Sequence, residues 1–163
     1  MATTADLLEF TTADTSLLVA RMRELAACGD GWINIGPGLT PEEFAALPPR
    51  STVSKWISGR GPAVPMATWT PPSAKGRGRP AQVGIAHGAG PNALDRLEAA
   101  GVVLPAGWVK RGDHAKNGIV AELPDTATHG AVVEWVLRAM VSLSLSPAVA
   151  IGDDWIAEVY APR

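Results

Sequence analysis

The chain has 163 residues, 47% of them apolar, and a formal net charge of −2. That suffices for one ordinary domain spanning residues 1–163 with its own core, so no metal or disulfide staple is needed. The single cysteine, Cys28, excludes an intrachain disulfide and suits a reducing compartment, so a cytoplasmic location is expected.

Residues 1–10 carry Asp6 and Glu9 and no positive charge, which is the wrong start for a secretory signal. Asp14 or Thr15 can cap a helix over 14–28 whose apolar stripe is Leu18, Met22, Leu25 and Ala26, with Gly29 as its left-handed stop. "GWINIG" predicts a strand. "TPEE", Thr40–Glu43, is a capping box with a proline in the first turn, which predicts a short helix over 41–47. Residues 51–58 and 63–70 read as strands, the second confined by Pro65 to an edge or a bulge. "PPSAKGRGRP" leads to a third strand over 81–87, and a helix over 91–100 follows, closed by Gly101. Asn117-Gly118 predicts a hairpin with a tight primed turn. The helix over 128–145 carries Val132, Val136, Met140 and Leu143 on one stripe and an expected Glu134–Arg138 pair on another. Glu134, Arg138 and Pro147 interrupt this most apolar stretch, which argues against a membrane span and a membrane partner. "DDWIAEVYA" predicts a last strand.

Clustered strands with short connections and interspersed helices point to an α+β fold. It should have a largely antiparallel sheet of five to seven short strands, with three or four helices mostly on one face. A doubly wound parallel sheet would need a helix between most strands.

The motifs "GRGPAVP" (59–65), "TWTPP" (68–72), "GIAHGAGP" (84–91), "GWVKRGDHAKNG" (107–118) and "WIAEVY" (155–160) resemble those of a family of small uncharacterised bacterial proteins. They spread over about the last two-thirds of the chain, and the resemblance implies no activity.

The charge is unevenly spread. Residues 45–93 hold none of the 16 acidic residues and six of the 14 basic ones: Arg50, Lys55, Arg60, Lys75, Arg77 and Arg79. Eight basic residues then face 16 acidic ones elsewhere, so one basic face can meet an anionic small molecule or protein partner. The plainer alternative is a set of solvated loop charges.

Within that window "HGAGP" joins a strand to a helix. Gly88 and Gly90 could leave backbone N–H groups free at the positive end of the helix, where a phosphate or carboxylate binds. The ligand-binding candidates are therefore His87, Gly88 and Gly90, joined by Arg60 and Arg77. The competing reading is that the glycines merely let the chain turn while His87 packs. The spacing is neither a dinucleotide fingerprint nor a P-loop, so no cofactor is expected. "KGRGRP" resembles an AT-hook core, which would set Lys75, Arg77 and Arg79 in a DNA minor groove; the sequence pI of about 5.9 argues against nucleic acid.

The alternative is a small hydrolase or transferase. His87 or His114 would be the general base with an acid such as Asp113 or Asp154 nearby in space, although adjacent strand residues Asp113 and His114 face opposite ways. Because no nucleophile motif accompanies them, the chain is read as non-enzymatic. His87, His114 and His129 lack paired ligand spacing, so no metal site is expected. Of the six tryptophans most should be core, with Trp56 and Trp69 as stacking platforms if exposed. "WIAEVY" as an edge strand would allow a homo-oligomer.

Overall fold

The computed structural model describes residues 5–46, 61–145 and 151–162. The expected strand at 51–58, together with Trp56 and Arg60, lies outside the described residues.

In chain order the described elements are β1 (Ala5–Thr11), α1 (Ser16–Cys28), β2 (Trp32–Pro37), α2 (Pro41–Ala46), β3 (Met66–Thr70) and β4 (Gln82–Ala86). After these come α3 (Ala93–Ala99), β5 (Val109–His114), β6 (Gly118–Glu122), α4 (His129–Leu143) and β7 (Asp154–Tyr160). The seven strands form one sheet in the order β1-β7-β2-β3-β4-β6-β5, with every neighbouring pair antiparallel. Among the described residues the fold is therefore α+β, with a seven-stranded antiparallel sheet and four helices.

Alternation explains the layering, because side chains at every second strand position share a face. One face carries the row Ala157-Ile35-Ala67-Ile85-Ile119 and beside it Val159-Ile33-Trp69-Val83-Ala121, all buried. Leu18, Met22 and Leu25 of α1, and Val132, Val136, Met140 and Leu143 of α4, bury their stripes in the same core. The other sheet face is more open. There Trp32 stacks on Tyr160 with ring centroids 4.7 Å apart, and Thr68 Oγ1 donates to Asn34 Oδ1 at 2.9 Å.

Local signals set the ends of the helices. Thr40 Oγ1 accepts from the Glu43 N–H while Glu43 Oε2 accepts from the Thr40 N–H, a reciprocal capping box. Gly29, at φ 66°, closes α1 and donates to the Leu25 carbonyl. The Thr128 side chain accepts from the Ala131 N–H and opens α4. Trp135 is buried, and its indole N–H donates to the Val103 carbonyl at 3.0 Å.

Several expectations change. β1 was not anticipated, since "ADLLEFT" buries only Phe10 fully and shows no clean alternation. β7 lies between β1 and β2, so "WIAEVY" has no free edge with which to pair a second copy. β3 is an interior strand, and Pro65 stands just before it. The hairpin turn is a three-residue loop ending on Gly118 at φ 77°, with His114 opposite Gly118, and not a two-residue primed turn. Gly118 has no substitute, because a Cβ there would lie 2.0 Å from the Ile85 carbonyl oxygen. Arg138 donates to the Gly101 carbonyl at 3.2 Å, where a pair with Glu134 was expected.

Candidate functional site

The candidate residues fall at the two ends of β4. Met66 pairs with Ala86 and Thr70 with Gln82, so the 71–81 connection leaves from one end of the β3–β4 pair and the His87–Gly90 turn from the other. The structure therefore does not bring Arg77 to the His87 turn: the length of β4 separates them.

At the His87 end the Ala89, Ala93 and Leu94 amides are taken by side chains of the chain itself. His87, Gly88, Ala89 and Gly90 are all buried. The segment at 61–62 runs beside the turn so closely that a Cβ on Gly61 would lie 2.0 Å from the His87 carbonyl oxygen. The Ala89 N–H donates to His87 Nδ1 at 3.2 Å, which leaves Nε2 as the protonated nitrogen of the neutral ring; it has no partner among the described residues. Burial pushes the His87 pKa below its ordinary 6.5; Asp113 pulls it up and Arg96 pushes it down. The opening of α3 is also occupied. Asp113 Oδ1 accepts from the Ala93 N–H at 2.9 Å and Oδ2 from the Leu94 N–H at 3.0 Å. A carboxylate of the chain itself thus takes the amides that the sequence offers to an external anion. Asp113 is then a helix cap, and His114, exposed on the other side of β5, does not pair with it. His87, His114 and Asp113 therefore do not form a catalytic constellation open to solvent.

The other end is built differently. "KGRGRP" folds into a closed loop. Ser73 and Arg79 exchange backbone hydrogen bonds of 2.8 and 2.7 Å, and Gly76 and Gly78 take φ of 66° and 74°. This is not the extended strand that a minor groove accepts. Lys75 Nζ pairs with Asp30 Oδ2 at 2.5 Å, and the Asp30 carboxyl is held below its ordinary pKa, first by that bond and then by the Gly31 N–H. Arg77 and Arg79 are exposed and form no ion pair among the described residues.

Between the roots of this loop lies a cavity of about 230 Å³, bordered by Pro72 and Ala81, by Ala26 of α1, by Trp69, and by His129 and Val132 in the first turn of α4. Trp69 is 1% exposed, and its indole N–H finds no acceptor among the described residues. His129 meets the Trp69 ring edge-to-face at 5.7 Å. Burial lowers the His129 pKa, and the nearby Arg23 charge lowers it further. Sequence reasoning set Trp69 among the core residues and His129 among scattered histidines. The usable signal was "DTATHG", a Thr cap opening a long helix with no acid in its first turn.

Among the described residues no three His, Cys, Asp or Glu side chains converge as metal ligands, and no helix is long and apolar enough to cross a membrane. Compared with known protein families, with curated proteins and with solved structures, the chain finds no match.

Proposed function

We propose that the protein is a non-enzymatic binding domain for an anionic group, which it takes at the 71–81 end of the sheet. One observation carries this reading. Arg77 and Arg79 stand exposed, without ion pairs among the described residues, on a loop whose backbone is closed by the Ser73–Arg79 bridge and moored by Lys75–Asp30. Two guanidiniums on a preorganised loop bind an anion at less entropic cost than two on a free chain. The acid-poor window that supplies this loop adds a favourable long-range field.

The experiment is a titration with inorganic phosphate, pyrophosphate and a short poly-glutamate at low salt, followed by calorimetry. Binding should weaken as salt rises and should be lost in Arg77→Ala/Arg79→Ala. Equal binding by that double variant would overturn the proposal. A duplex DNA titrated in parallel tests the nucleic-acid alternative.

A further inference from the structure

We propose that the outer edge of β1 is an interface between two copies of this chain, paired antiparallel about a two-fold axis at Leu7. Among the described residues β1 and β5 are the two edges of the sheet, and they are finished differently. β5 carries exposed Lys110 and Arg111, and its ladder with β6 slips between Lys110 and Gly112. Positive charge and a bulge both discourage a further strand. β1 has neither. It pairs with β7 in unbroken register from Ala5↔Tyr160 to Thr11↔Asp154, and it holds no Lys, Arg or Pro.

The hydrogen bonds around β1 fix which of its backbone groups face outward. The Thr12 N–H donates to the Asp153 carbonyl at 2.9 Å, and groups on an antiparallel strand alternate between its two sides. Phe10, Leu8 and Asp6 therefore turn their N–H and C=O groups to β7, and Thr11, Glu9, Leu7 and Ala5 turn theirs away. Thr11 agrees with this, since it exchanges backbone bonds with Asp14 in the turn that follows. Ala5, Leu7 and Glu9 keep outward donors and acceptors, with no strand to receive them among the described residues.

A second copy fits these three residues. With Leu7 opposite Leu7, Ala5 faces Glu9 and Glu9 faces Ala5, so each exchanges both bonds across the axis. No carboxylate then opposes another, and Asp6, opposite Leu8, is already paired with Arg21. Setting Ala5 opposite Thr11 instead would meet groups that Asp14 takes. The side chains agree. Leu7 is 66% exposed and Leu17 61%, the two most exposed large apolar residues among those described. Leu17 lies one turn before Arg21, which reaches Asp6, so that stripe of α1 borders the same edge. The pairing covers Leu7 with its own copy on the open face, and the two α1 helices flank the seam on the other. So short an edge stands at the low end of specific interfaces, and a dissociation constant on the order of 10–100 μM is expected.

Sedimentation velocity from about 5 to 500 μM spans that range and tests the proposal. The chain should move from its own 17.0 kDa toward twice that as concentration rises. Leu7→Lys sets like charges against each other at the axis and should weaken association at least about tenfold. Leu17→Lys should weaken it less, and Val109→Lys, on the guarded edge, should change nothing. Crosslinking reads the register. In a Cys28→Ser background, needed because Cys28 is exposed, Leu7→Cys should give a disulfide dimer on mild oxidation, since opposed bonded residues lie about 5.5 Å apart. Glu9→Cys should not, because Glu9 faces Ala5. The edge shares no residue with the Arg77–Arg79 loop, so Arg77→Ala/Arg79→Ala should associate as the parent chain does, and the two proposals fail separately. A chain monomeric throughout, association unchanged in Leu7→Lys, or crosslinking at position 9 equal to that at position 7 would overturn the interface.

Discussion

The two ends of β4 look alike in sequence, since each is a glycine-punctuated turn rich in polar groups, yet they are finished in opposite ways. At the His87 end the chain answers its own backbone donors: Asp113 closes α3, and the Ala89 amide closes on His87, while the buried His87 Nε2 finds no partner among the described residues. At the 71–81 end the charges remain open: Arg77 and Arg79 have no ion pair among the described residues, and the Trp69 indole, like His87 Nε2, has no partner among them. The difference teaches that a helix-opening glycine turn is a site only where no carboxylate of the chain reaches it first. Here the supplier, β5, lies two strands away across the sheet.

The largest effect should come from the satisfied indole. Trp135→Ala removes a buried ring and the bond to Val103, and should cost about 3–5 kcal/mol in denaturant unfolding. The paired substitutions to Phe sharpen the contrast. Trp135→Phe strands a carbonyl and should destabilise more than Trp69→Phe, which deletes a donor without an acceptor among the described residues. Equal losses would break it.

Next comes the sealed turn. Gly61→Ala pushes a methyl against the His87 carbonyl, where backbone must give way, and should cost about 1–3 kcal/mol by thermal unfolding. Asp113→Ala follows at about 1–2 kcal/mol, the scale of a lost helix cap. If the cradle is real and self-occupied, formate should restore part of that loss in Asp113→Ala and do nothing for the parent chain.

A smaller effect separates acid from neutral pH. The folded pKa values of His87 and His129 lie below 6.5, so the unfolded chain binds more protons as pH falls beneath that value. Stability is therefore full above pH 6.5 and is lost as pH drops through the folded values. Guanidinium midpoints measured from pH 7.5 to 5 should fall, and His87→Asn, which keeps an acceptor for Ala89, should flatten the slope. The smallest change is Arg77→Ala, which should leave stability within about 0.5 kcal/mol.

Much of the fold was legible because it rests on short-range signals. The capping box at Thr40, the Gly29 stop and the stripe of α4 each act over a few residues, and each is found where the pattern places it. What escaped depends on distant chain. β1 is a strand because β7 pairs with it, and its own alternation is weak. The joint site of His87 and Arg77 rested on the charge that an anion needs beside backbone amides, but Arg77 lies in the turn of the β3–β4 hairpin and His87 at its open end, a strand length away. Asp113 as the cap of α3 was equally hidden, since helix and carboxylate are separated by about twenty residues and meet only in the sheet.

The place of β7 has a consequence for how the molecule comes to be made. It is the last of the seven strands to leave the ribosome, and it seats between β1 and β2, near the start of the chain: Ala5 pairs with Tyr160 and Trp32 with the same residue from the other side. Until it arrives, β2 is an open edge of the sheet and β1 has no strand to pair with. Seating β7 joins positions more than a hundred residues apart, so the loop entropy falls due in a single late step. A chain without β7 would present β2 as an unpaired edge, a template on which another chain can add a strand.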